Sequence, residues 1–219
     1  MDKSIKFNAI VAMNNIDQGI GFKEGLPWNI KEDHDYYLRV VQTTENKNKK
    51  NAVIVGRITF KSIPKESSIF NSCIVILVSN TIKIEDLKYL QSNENKGIEI
   101  VKSMKEALNI IYNKYTNIVE SIYSIGGNRI YEESLNFENF NIYYITRIFG
   151  NFQCDIFLTP QNFIEKLEKI DSKDLVKQEQ LFKIKYNTLI ESPNDKNIKY
   201  IFEAYKKIKK PILKINNKN

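Results

Sequence analysis

The run Ala52-Val53-Ile54-Val55-Gly56 constrains the fold more than any other part of the chain. It is apolar and rich in β-branched residues, with no alternating polar position to face water. A strand made from it is covered on both sides, as in a parallel sheet between layers of helices. Further strands are read at Lys6 to Met13, Ile74 to Val78, Ile98 to Val101, Ser121 to Ile125 and Phe140 to Ile148. Helical stretches fall between them. Arg57 to Pro64 is closed by its proline, and Asn128 to Leu135 follows a Gly126-Gly127 turn. Ser103-Met104-Lys105-Glu106 is a capping box whose helix carries Ala107, Leu108, Ile111 and Tyr115. Lys199 to Tyr205 alternates enough for an antiparallel or edge strand. The predicted fold is α/β: a mostly parallel central sheet, flanking helices and a C-terminal antiparallel strand.

The 219 residues suit one domain, expected over 1–205, with 206–219 as a basic, flexible tail. Residues 161–197 are polar and read as an insertion or long hairpin. The net charge of +7 suggests nucleic acid at first. Six lysines and no acid lie in 206–219, however, which leaves 27 basic against 26 acidic residues elsewhere. Nucleic acid is therefore not expected as a partner, beyond a weak contact of the tail with polyanions. No apolar run approaches the roughly 20 residues that span a membrane. Met1-Asp2-Lys3-Ser4 leads straight into a strand, so a cytoplasmic location is expected. Cys73 and Cys154 lack metal-ligand spacing, and no metal site is expected.

The stretch from Gly19 to Arg39 carries the chemistry. Three glycines (Gly19, Gly21, Gly25) open it as a loop, Leu26-Pro27 enforces an extended entry, and Trp28 is the only tryptophan. Then Asp33, Tyr36, Tyr37, Val40 and Val41 fall on one helical face. A carboxylate on an apolar stripe has its pKa raised by burial and is a candidate functional group. Read more plainly, it is an acid favouring the helix dipole. Asp35, about 200° further round, should face water. His34, the one histidine, is read as a surface residue without a role.

Two places combine strand end, glycine and helix start: Val55-Gly56-Arg57-Ile58-Thr59 and Ile125-Gly126-Gly127-Asn128-Arg129. Free N–H groups and the dipole at a helix start suit a phosphate. Each alone is equally a tight strand-to-helix turn; the two together could hold the halves of a dinucleotide.

Taken in order, these pieces resemble dihydrofolate reductase. The likeness rests on Ile10-Val11-Ala12, Gly19-Ile20-Gly21, Leu26-Pro27-Trp28 with Asp33 five residues on, Val55 to Pro64, Gly126-Gly127 with Tyr131, and Thr146-Arg147-Ile148. It runs from Phe7 to Phe157 and resumes over Lys199 to Tyr205. The Gly-Ile-Gly-Phe loop and the spacing of the acid are most like fungal members. No thymidylate synthase domain follows, so a monofunctional enzyme is expected.

The resemblance implies an activity: hydride transfer from NADPH to C6 of the pterin of 7,8-dihydrofolate, with a proton reaching N5. It makes Asp33 the essential carboxylate, oriented by Thr146. Trp28 would hold a water, and Leu26 would lie in a loop closing over nicotinamide. Ile10 and Ile125 would offer carbonyls to the pterin, with Val11 beside them, and Tyr37, Ile63 and Phe70 would line the slot for the rest of the substrate. Ala12, Ile20 and Gly21 would lie by the nicotinamide, with Tyr131 at its edge. Gly56, Ile58, Thr59, Gly126, Gly127, Asn128, Arg129 and Ile130 would surround the pyrophosphate. Arg57, Lys102, Ser79 and Asn80 would flank the 2′-phosphate and adenosine. Dihydrofolate and antifolate-type molecules are the implied partners of a monomer.

Some positions depart from the family pattern. Cys73 stands where an arginine usually pairs with the substrate's glutamate, Tyr37 and Phe60 replace phenylalanine and tryptophan, Asn80 replaces an arginine, and Val41 a threonine. The missing arginine keeps open an NADPH reductase of the same fold acting on another heterocycle of a pyrimidine or riboflavin pathway, and the lysine tail keeps open a non-catalytic nucleotide- or RNA-binding protein.

Overall fold

A computed structural model describes residues 5–83, 85–87, 97–160 and 163–208. In chain order the elements begin with β1 (Lys6–Asn14), β2 (Gly19–Gly21), α1 (Lys31–Gln42), β3 (Lys50–Gly56), α2 (Arg57–Ser62), α3 (Ile69–Ser72), β4 (Cys73–Val78) and β5 (Ile98–Val101). They continue with α4 (Met104–Lys114), β6 (Val119–Ser124), α5 (Asn128–Ser134), β7 (Phe140–Phe149), β8 (Ile156–Phe157), β9 (Leu167–Lys169), α6 (Val176–Phe182), β10 (Leu189–Glu191) and β11 (Lys199–Lys207).

The apolar runs become the inner strands of one sheet, in the order β10-β11-β7-β1-β6-β3-β4-β5, with β9 added to β11. The pairs from β7 to β5 are parallel, and β11 runs antiparallel to β7. Ala52 to Val55 are fully buried, as the lack of a polar face requires. Successive side chains point to opposite faces. Val53, Val55, Val75 and Leu77 pack on α1, α3 and α6, whereas Ala52, Ile54, Ile74 and Ile76 pack under α4 and α5. Ser103 caps α4 as expected, accepting from Glu106 N at 3.2 Å. Glu106 Oε2 reaches one residue further back than a capping box predicts, to Lys102 N at 2.9 Å.

Three readings of the C-terminal part are narrowed. First, β11 is not an edge: β7 lines one side, and β9 and β10 share the other. Its buried Glu203 accepts from Lys169 Nζ and from Tyr205 Oη, each at 2.6 Å. Second, β11 continues into the stretch expected as a tail. Lys206 pairs with Glu168 at 3.4 Å, and Lys207 Nζ donates to Leu135 O at 2.6 Å. The rest of that tail, 209–219, lies outside the described residues. Third, the described part of 161–197 does more than connect. It supplies β9, α6 and β10, and its Leu175, Phe182 and Tyr186 enter the core beside α1.

The glycine loop also differs from its reading. Its left-handed backbone sits on Gln18, Lys23 and Glu24, with φ of 59°, 48° and 64°. Phe22 and Gly25 exchange N–H···O bonds of 2.9 Å across the last two, a tight two-residue turn. Gly19 is required for space instead: a Cβ there would fall 2.4 Å from Cys154 Sγ. That closeness comes from β2 pairing with β8, which short mixed strands did not announce. No helix among the described residues is long and apolar enough to cross a membrane.

Candidate active site

Parallel strands end together, and ligands of such sheets bind beyond their carboxyl ends. Beyond β1, β3, β4 and β6 lies a cavity of about 1020 Å³. α1 closes one side and brings Asp33 to it. The helical stripe reads as expected: Asp33, Tyr36, Val40 and Val41 are buried, Tyr37 is half-buried, and the partly exposed Asp35 pairs with Lys31.

Burial pushes the Asp33 carboxyl up to about 6 from its ordinary 3.8, against the Thr146 hydroxyl, which hydrogen-bonds it, and the nearby Trp28 indole, both of which lower it. Thr146 reaches the site because β7 sets it opposite Ala12 of β1. Trp28 is wedged by Phe152, whose ring meets it edge-on at 5.4 Å. Its Nε1 is buried and closes no direct hydrogen bond, although it acts on Asp33. A buried N–H left in this way beside a carboxylate is a place for one water.

The two strand-glycine-helix ends meet at the cavity. Gly56 N donates to Gly126 O at 2.6 Å, and the Gly126-Gly127 peptide is cis. Gly126 has φ +117°, and a Cβ on it would lie 3.1 Å from Thr59 Oγ1 and 3.2 Å from Tyr131 Oη. Neither α2 nor α5 has a side-chain cap, so the first N–H groups of both stay available to a ligand.

Most of the residues that the resemblance implies line this cavity. They are Ile10, Val11, Ala12, Ile20, Gly21, Leu26, Asp33, Tyr37, Gly56 to Thr59, Ile63, Ser79, Asn80, Lys102 and Ile125 to Tyr131. Thr146 and Trp28 stand behind Asp33 rather than in the wall. Phe70 does not line the cavity wall; it is buried and packed edge-on against Phe60 at 5.8 Å, and its neighbour Ile69 lines the wall. Cys73 is also outside the wall; it is buried, its Sγ donates to Val41 O at 3.4 Å, and burial pushes its thiol up to about 12.

Several lining residues have prior commitments. Tyr131 Oη donates to the Ile10 carbonyl at 2.9 Å. Asn128 exchanges side-chain bonds with Thr159, at 2.8 and 3.1 Å, so its backbone is what it can offer a ligand. Ser79 Oγ accepts from Thr81 N and Ile82 N, which holds the turn after β4. Sequence reasoning passed over His34 and Ile156, both of which line the cavity. His34 follows Asp33 on the same helix turn and could have been found there. Ile156 arrives through β8, for which the sequence carries no pattern.

The chain is similar to known proteins over most of its length. The family model described as Dihydrofolate reductase matches residues 6–191. A Dihydrofolate reductase of Schistosoma mansoni is 32% identical over 173 residues, 78% of this chain and 87% of that protein. One of Drosophila melanogaster is 32% identical over 187 residues, 84% and 97% of the two chains. A solved Schistosoma mansoni structure aligns with TM-score 0.68 and 28% identity, covering 92% of this chain and 97% of its own.

Proposed function

We propose, because the chain belongs to the dihydrofolate reductase family, that it reduces 7,8-dihydrofolate to tetrahydrofolate with NADPH in the cavity between α1 and the two glycine turns. The observation that carries this reading is Asp33: a buried carboxyl, held near pKa 6, beside a hydroxyl and an unpaired indole N–H.

A carboxyl with that pKa keeps its proton in roughly one molecule in ten at pH 7, enough for a general acid. Asp33 faces the cavity, so it can bind an amide N–H and amino group of a pterin and hold the proton destined for N5. Thr146 fixes its orientation, and a water on Trp28 Nε1 would carry the proton. Tyr37, Ile63 and Ile69 give an apolar slot for the substrate's aromatic portion, and Tyr131 holds the Ile10 carbonyl at the meeting point of the two halves.

The other half fits a dinucleotide. Thr59 and the uncapped starts of α2 and α5 suit a pyrophosphate, and Arg57 and Lys102 stand exposed where a further phosphate would sit. NADPH, when bound there, supplies the hydride. Leu26, exposed on the rim, is placed to cover the reacting rings and exclude water.

The test is loss of NADPH absorbance when purified protein meets dihydrofolate, with NADH in parallel. Rapid turnover favouring NADPH is expected. Absence of turnover with either nucleotide would overturn the reading.

A further inference from the structure

Charge is unevenly spread along the cavity wall. Its basic side chains Arg57, Lys102 and Arg129 all belong to the nucleotide side, at the start of α2, just after β5 and at the start of α5. The opposite side runs from Asp33 along α1 to the segment after α2, and is formed by Tyr37, Ser62, Ile63, Pro64, Ser67 and Ile69. These surfaces adjoin because α3 packs on α1, where Gln42 Nε2 donates to Ser68 Oγ at 2.6 Å. Among the described residues this side of the wall has no lysine or arginine, and only His34 at the rim can carry a positive charge.

Dihydrofolate is acidic at its far end: the pterin is joined through an aminobenzoyl group to a glutamate with two carboxylates. With its pterin on Asp33, that end must pass this neutral wall. A carboxylate drawn against Tyr37, Ile63 and Ile69 would lose water and meet no counter-charge. We propose, resting on the reductase reading above, that this enzyme selects its substrate by the ring system alone and leaves the acidic tail in water. Its substrate class is then 6-substituted dihydropterins with charged or neutral tails alike.

Charges outside the wall do not change this. Lys31 is engaged by Asp35 and is largely exposed. Lys61 and Lys65 flank Ser62 to Pro64 in the chain and are exposed too. A pair formed in water at such a rim is worth at most about fivefold in affinity.

The experiment compares dihydrofolate with its diamide, in which both glutamate carboxylates are neutral amides of nearly the same size. With NADPH and the full chain, kcat/KM for the two is expected to agree within about fivefold. KM for dihydrofolate is expected to stay flat as salt rises from about 0.05 to about 0.5 M. A preference for dihydrofolate of tenfold or more, or a KM that climbs steeply with salt, would overturn the inference. So would a preference for dihydrofolate that disappears in His34→Gln, since it would make His34 an ionic anchor. If dihydrofolate turns over and the diamide does not, only this inference falls. If neither turns over, the reductase reading falls and takes the inference with it.

Discussion

Tyr36 and Tyr186 meet hydroxyl to hydroxyl at 3.0 Å although 150 residues separate them in the chain. Tyr36 lies one helical turn beyond Asp33, and both tyrosines are almost wholly buried. Arg39 Nε, one turn further, donates to Phe182 O at 2.8 Å, so the segment around α6 grips the helix that carries the acid. Tyr186→Phe would leave the Tyr36 hydroxyl without a partner. The expected cost is about 1–2 kcal/mol, read as a fall of several degrees in Tm. Removing both hydroxyls together should cost less than the sum of the single changes, and strict additivity in a double-mutant cycle would show that the pair does not couple.

The pH dependence of hydride transfer should follow Asp33. Its acid form is the active one, so the rate should fall as pH rises above about 6. Thr146→Val removes a contact that favours the ionised form, and the profile should move to higher pH. Single-turnover rates across pH provide the check; a profile that stays in place would separate Thr146 from the acid.

Asp33 should also weaken the fold. Its folded pKa, about 6, exceeds the ordinary 3.8 of an unfolded aspartate. Between those values the folded chain holds a proton that the unfolded chain does not, so stability is lost as pH rises through the window. Above it the buried charge costs about 3 kcal/mol. Asp33→Asn should abolish most turnover yet raise the denaturation midpoint at pH 7.5, with the gain vanishing near pH 4. A variant less stable than its parent at pH 7.5 would contradict this account.

Gly126→Ala should damage nucleotide binding. The residue would need φ +117° and would press its Cβ on Thr59 and Tyr131. Strain of about 1–3 kcal/mol is expected, together with a rise in the Kd for NADPH, both measurable by thermal shift with and without nucleotide. Unchanged affinity would mean that the turn is not part of that site.

Much of this was legible in the sequence where burial leaves a pattern. The unbroken apolar runs at Ala52 to Val55 and Ile74 to Val78 became inner parallel strands, and the period through Asp33, Tyr36, Val40 and Val41 gave the acid its orientation. What escaped was decided by distant partners. β2 and β8 are strands only because each has the other, and β9 and β10 exist as the second side of β11. Phe70 and Ile69 are neighbours on one short turn; Phe70 packs against Phe60 while Ile69 lines the cavity, a division that no local pattern marks.

The position of β11 has a consequence for biosynthesis. Every other strand described here leaves the ribosome before it, yet β7 depends on it for its second neighbour and β9 and β10 for their pairing partner. Until residues 199–207 emerge, the nascent chain presents β7 as an open edge and lacks the counter-charge to Lys169 that Glu203 supplies. Such an edge invites pairing with other chains. Between translation of β7 and of β11, that edge is therefore open to other chains.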